Sequence, residues 1–163
     1  MSPESCTSVV TRGRLTVSPT QVWHNLMFYE QIEDSPPLHL RLLLPLPLRT
    51  DGAKLAVGEH AKCLYATGHL LKRVTRIEPG RLYEFAVVEQ NLALPSGVLL
   101  CGGSYMLREL PGSRTELAVT TRYVSDRGPR WLWGPVEAII CHLFHHHLLS
   151  AIRKKAEVPQ KFL

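Results

Sequence analysis

One stretch limits what this chain can fold into more than any other: Pro129 to Glu157, PRWLWGPVEAIICHLFHHHLLSAIRKKAE. No other stretch can form a helix of comparable length. Most of what precedes it is β-prone sequence broken by Pro-Gly and Asp-Gly turns. A mostly β chain that ends in one bulky helix must bury that helix against its strands. The expected class is α+β, with a curved antiparallel sheet wrapped around the long C-terminal helix.

The order along the chain supports this. Ser8 to Val17 is β-rich and reads as a first strand. Ser18-Pro19-Thr20-Gln21 carries a cap, a proline suited to the first helical position and a capping-box residue. Val22, Leu26 and Tyr29 then mark a helix running to about Ile32, and Asp34-Ser35-Pro36-Pro37 ends it. Leu38 to Leu44 reads as an edge strand and Arg49 to Gly58 as a polar connection. Five strands in an antiparallel meander are expected over Glu59–Thr67, His69–Glu78, Arg81–Asn91, Val98–Leu110 and Ser113–Ser125. Residues 8–157 are expected to form a single domain, between a disordered stretch 1–7 and a tail 158–163.

Composition removes several classes. The 163 residues are 45% hydrophobic and 20% charged, enough for one core without metals or disulfides. The net charge of +5 is spread along the chain apart from Arg153, Lys154 and Lys155, so no nucleic-acid partner is expected. The most apolar run, Leu38 to Leu48, is short and carries Arg41, Pro45 and Pro47, so no membrane insertion is expected. Cys6, Cys63, Cys101 and Cys141 have no zinc-like spacing. They read as four free thiols in a cytoplasmic protein, with no cofactor and no metal.

Alternation sorts the strands into faces. Glu84 and Gln90 share the outer parity of their strand, which turns Tyr83, Phe85, Val87 and Glu89 inward. Tyr105 and Leu107 are inward on the next strand, and Leu117, Val119, Thr121 and Tyr123 on the last. Gly102-Gly103 marks a bulge or bend. A buried Glu89 needs a partner, so it reads either as a carboxylate at the sheet rim, as a polar group in a cavity, or as an acid–base residue.

On the long helix, Leu132, Val136, Ile139, Ile140, Leu143 and Phe144 form one apolar arc at about 100° per residue. His147 falls inside that arc. His145 falls on the opposite face with Ala138 and Leu149. His142 and His146 have the spacing of a two-histidine metal pair, but no Glu follows the first His and no third ligand is evident. His147 reads either as a core histidine or as a polar handle inside a cavity.

The layout as a whole resembles the START-like, Bet v 1-like superfamily, also called SRPBCC. The likeness is carried by SPTQVWHNLMFYEQI, by GHLLKRVTRIEPGRLYEFAVVEQ, by GGSYMLRELPGSRTELAVTTRYVS and by PRWLWGPVEAIICHLFHHHLLSAIR. It spans about Ser8 to Ala156 and is closest in texture to the bacterial branch described as polyketide cyclase or dehydrase-like. It implies the helix-grip fold and a cavity between sheet and last helix. It implies no catalytic motif.

Three functions remain open. In the first, the chain binds a hydrophobic small molecule such as a lipid or polyketide. Tyr83, Phe85, Val87, Tyr105, Leu107, Leu117, Val119 and Tyr123 would then form the floor, with Thr121 as a further ligand contact, and Val136, Ile140, Phe144 and His147 the lid. Glu89, Tyr105 or His147 would orient the ligand, and Leu44–Gly58 or Trp131–Gly134 would gate it. In the second, a cyclase or dehydratase uses His147 or Glu89 as acid and base, with Tyr105 or Tyr123 polarising a carbonyl. In the third, Trp131 and Trp133 form an interaction patch. A monomer or weak homodimer is expected.

Overall fold

A computed structural model describes residues 6–28, 38, 47–52, 55–92, 94 and 97–157. Expectations for residues 1–5, 29–37, 39–46 and 158–163 lie outside the described residues. Leu38, in the region read as an edge strand, is helical and exposed.

The elements are β1 (Thr7–Leu15), α1 (Pro19–Phe28), β2 (Pro47–Gly52), β3 (His60–Tyr65), β4 (Gly68–Glu78), β5 (Leu82–Asn91), β6 (Val98–Leu110), β7 (Arg114–Ser125) and α2 (Arg130–Glu157). The seven strands form one antiparallel sheet in the order β1-β7-β6-β5-β4-β3-β2. With the long final helix this is the helix-grip fold. The polar connection expected at Arg49–Gly58 is corrected in part: Pro47–Gly52 pairs with β3 as a strand.

Local chemistry explains the punctuation. Ser18 Oγ accepts the Gln21 N–H at 3.4 Å and caps α1, with Pro19 as its first residue. Gly80 and Gly112, at the β4–β5 and β6–β7 turns, have φ of +74° and +80°, which side chains with a Cβ rarely adopt. The outer sheet face carries ion pairs, Arg122 with Glu84 and Arg108 with Glu116, while Leu117 and Val119 face inward.

The core is asymmetric along α2. Its C-terminal half buries Leu148, Leu149, Ile152 and Ala156 against Leu15, Val22, Leu26, Leu107 and Leu117. Leu149 lies so near β1 that a Cβ on Gly13 would sit 3.0 Å from its methyl carbons. Glu157 Oε1 accepts hydrogen bonds from Thr16 N and Thr16 Oγ1, at 3.1 and 2.8 Å, and ties the helix end to the β1–α1 junction. A second apolar cluster of Cys63, Leu70 and Leu92 lies under β3–β5.

Two expectations about this frame are corrected. The four cysteines are not all free: Cys6 and Cys101 form a disulfide, leaving Cys63 and Cys141 as thiols. Spacing hid the pair because β1 and β6 are brought together only by sheet order, with β7 between them. The phase of α2 is also different. Leu132, Val136, Ile139 and Leu143 are exposed, whereas Glu137, His145 and Leu149 are buried.

Candidate functional site

Between the N-terminal half of α2 and strands β4–β7 the packing opens into a pocket of about 180 Å³. Its sheet wall includes Leu70, Phe85, Val87, Leu100, Tyr105 and Val119. Its helix wall is Ile140, Cys141, Phe144 and Leu148. Two bulges help shape it. The extra residue Val88 interrupts the β4–β5 register, and Cys101 interrupts the β6–β7 register next to Gly102. Gly103 lets the Phe85 ring lie across β6, because a Cβ there would sit 2.9 Å from that ring and 2.6 Å from Thr120 O.

One end of the pocket is polar. Glu137 projects from the first turns of α2 and is only 8% exposed. Ser125 Oγ donates to its Oε1 at 2.6 Å, and Arg130 Nη1 donates to the same oxygen at 3.2 Å. Arg130 Nη1 also lies 3.0 Å from Oε2. Burial pushes the Glu137 carboxyl up, but the hydrogen bonds from Ser125 and Arg130 outweigh it, and the net displacement is downward. Tyr123, 3% exposed, stands beside it on β7. Burial, then the Glu137 charge, raises its phenol above the ordinary value, so it stays protonated. Among the described residues, Tyr123 Oη and Glu137 Oε2 are buried with no hydrogen bond of ordinary geometry.

The pocket is also tied to a histidine network. His145 is fully buried. Its Nδ1 lies 2.8 Å from Thr11 Oγ1 and its Nε2 lies 2.7 Å from Thr121 Oγ1, a pocket residue. His142 Nδ1 lies 2.7 Å from the same Thr11 hydroxyl. One hydroxyl has one proton, so Thr11 donates to one imidazole and accepts from the other. Burial, then the neighbouring His142 and His146, push the His145 pKa down to about 4. The imidazole is therefore neutral at neutral pH. Burial also pushes the Cys141 thiol up to about 11, so it is not a reactive thiolate.

The residues singled out in the sequence divide into three groups. Phe85, Tyr105, Val119, Thr121, Tyr123, Ile140 and Phe144 line the pocket. Tyr83 and Leu107 are packed into the core beside it. Glu89, Val136 and His147 are not in its lining, and these placements are corrected. The Val88 bulge reverses the strand alternation after Val87, which turns Glu89 out to bond His69 at 2.7 Å. Gln90, expected outside, instead bonds the backbone of Val98 and Leu100. Val136 lies on the exposed side of α2, and His147 is half-buried away from the pocket.

Glu137, Ser125, Arg130 and His145 were missed. Glu137 had a signal: it is the sole acidic residue of α2 before Glu157. A lone carboxylate in an apolar helix needs a partner. The two tryptophans of the interaction-patch reading differ in their surroundings. Trp131 is 77% exposed, while Trp133 stacks under Arg127 with 4.2 Å between guanidinium and ring centre. No helix among the described residues is long and apolar enough to cross a membrane.

No family model matches the chain, and no curated protein matches it. Solved structures do. The Zhui aromatase/cyclase from Streptomyces sp. R1128 is 16% identical, with 93% of this chain and 94% of that one aligned at a TM-score of 0.64. Ara h 8.0201 is 11% identical, with 93% and 97% aligned at 0.59. The Aha1 dimer from Colwellia psychrerythraea is 13% identical, with 94% and 98% aligned at 0.57. These likenesses establish the fold, the helix grip of START-like, Bet v 1-like (SRPBCC) proteins.

Proposed function

We propose that the chain binds a hydrophobic small molecule, of lipid or polyketide type, in the pocket between α2 and the sheet. The observation that carries this is the stand-off of one helix half. From Leu148 onward α2 is packed solid, yet around Ile140 and Phe144 it leaves a space walled by apolar side chains. A core that could close would gain dispersion contacts by doing so. Apolar ligand surface moved into the space gains roughly 25 cal/mol per Å², less the cost of association. All the walls come from one chain, so the site needs no second copy.

The acid–base alternative keeps Tyr105 and Tyr123 but loses the acid and base first assigned to it, since neither Glu89 nor His147 lines the pocket. The reading is tested by native mass spectrometry of protein purified from its own host, followed by organic extraction. A stoichiometric apolar adduct supports it. Protein that carries no adduct and takes up no apolar probe at saturating concentration overturns it.

A further inference from the structure

The half of α2 that stands off from the sheet is also bare on its outer side. From Trp131 to Leu143 every exposed residue of the helix is apolar: Trp131, Leu132, Pro135, Val136, Ile139 and Leu143. Ile139 alone is 59% exposed. The carboxylate in this span, Glu137, is buried, and the exposed charges of the helix end, Arg153 and Lys154, lie beyond it. Ile140 and Phe144 face the pocket while their neighbours Ile139 and Leu143 face out. This half of the helix is therefore apolar on both sides, and a helix of that kind is ordinarily covered on both.

We infer that the outer face of α2 packs against the same face of a second copy of this chain, with the two helices antiparallel about a two-fold axis. The inference does not depend on what the pocket holds. Leu132, Val136, Ile139 and Leu143 recur at steps of four, three and four. At about 100° per residue they fall within one arc of roughly 60°. The steps read the same in both directions. An antiparallel copy centred between Val136 and Ile139 sets Leu132 against Leu143 and Val136 against Ile139, and the two-fold axis repeats both contacts. Such spacing is that of a helix–helix seam.

Area and charge both favour a second copy. Trp131 and the four stripe residues expose on the order of 500 Å² per chain, as large as the main apolar patch of an ordinary monomer. Two such faces bury about 1,000 Å², the lower bound for a specific interface and the size of a weak, reversible one. A parallel pair would bring Arg153 and Lys154 of the two copies together. An antiparallel pair sends them to opposite ends and opposes the helix dipoles. An anionic membrane fits this face less well, because helices that lie on one carry Lys or Arg beside the apolar stripe. Here Arg130 is held by Glu137, and Arg127 lies over Trp133.

The test is sedimentation equilibrium of the full chain between about 1 and 500 µM, with an expected dimer Kd of about 10–100 µM. Ile139→Lys and Ile139→Glu are each expected to weaken association at least about tenfold with thermal midpoints within a few degrees of the parent, since Ile139 is exposed in the single chain. An equal mixture of the two variants is expected to associate within about threefold of the parent, as Lys of one copy meets Glu of the other near the axis. Misfolding of either variant cannot produce that recovery. Should both fail to fold, the parent's concentration series together with Leu132→Ser decides.

A parent that stays monomeric throughout, or an Ile139→Lys variant that associates as tightly as the parent, overturns the inference. The parent is also spun with vesicles of about three parts phosphatidylcholine to one part phosphatidylserine. A chain that is monomeric in solution and sediments with the vesicles through Ile139 assigns the face to a lipid surface and overturns the second copy.

Discussion

His145 Nε2 lies 2.7 Å from Thr121 Oγ1, and this bond joins the middle of α2 to the strand that floors the pocket. The same ring reaches Thr11 on β1 through Nδ1, so one buried imidazole holds the helix to two strands. It sits near the boundary between the solid part of the core and the open part.

That bond makes stability depend on pH. The His145 pKa is pushed from 6.5 down to about 4 by burial and by His142 and His146. The facing groups on β1 and β7, Thr11 and Thr121, do not titrate in this range. Between these values the unfolded chain binds a proton that the folded chain does not. Stability is therefore full above pH 6.5 and falls as pH drops toward 4. The His145 contribution to the loss is about 3 kcal/mol. Chemical denaturation at a series of pH values measures this. His145→Leu should flatten the slope in that window, and should cost about 1–3 kcal/mol at pH 7.5 by removing the hydrogen bonds that tie the ring to Thr11 and Thr121. An unchanged slope would show that His145 does not carry the effect.

Gly103 links the sheet to the shape of the pocket. A methyl group there would meet Thr120 O at 2.6 Å and the Phe85 ring at 2.9 Å. Phe85 can swing away, but the carbonyl belongs to the β6–β7 ladder and cannot. Gly103→Ala should destabilise the fold by about 1–3 kcal/mol, measured by urea unfolding, and should disturb Phe85 in the pocket wall. A variant as stable as the parent would mean that the strands separate more easily than the register suggests.

The Cys6–Cys101 disulfide spans 95 residues and ties the chain before β1 to β6. A disulfide typically contributes roughly 2–4 kcal/mol to stability. Cys6→Ser should lower the denaturation midpoint accordingly, and adding a reductant to the parent should have the same effect. No further loss is expected when reductant is added to Cys6→Ser, since Cys63 and Cys141 are already free.

The strands were legible because their turns are explicit. Pro79-Gly80 and Pro111-Gly112 separate β4 from β5 and β6 from β7, and Tyr105, Leu117, Val119 and Tyr123 alternate as a one-faced sheet requires. The site was less legible, for two physical reasons. A single extra residue, Val88, reverses the alternation and turns Glu89 out, and no local pattern marks that bulge. On α2, apolar residues occur all round the helix, so periodicity does not define an inside. The stripe that faces inward includes Glu137 and His145, two residues that a hydrophobic count places outside. Their partners Ser125, Thr11 and Thr121 come from other elements and become visible only once the strands are ordered.

The central claim is that the space beside Ile140 accepts an apolar molecule, and filling that space tests it most directly. Ile140 is half-buried in the helix wall of the pocket and outside the solid core cluster. Ile140→Trp should therefore occupy the pocket at little cost to folding. Titration with an environment-sensitive apolar dye should show saturable binding by the parent chain and at least about tenfold weaker binding by Ile140→Trp, with thermal midpoints within a few degrees of each other. Equal dye affinity in the two proteins would place binding elsewhere and contradict the account.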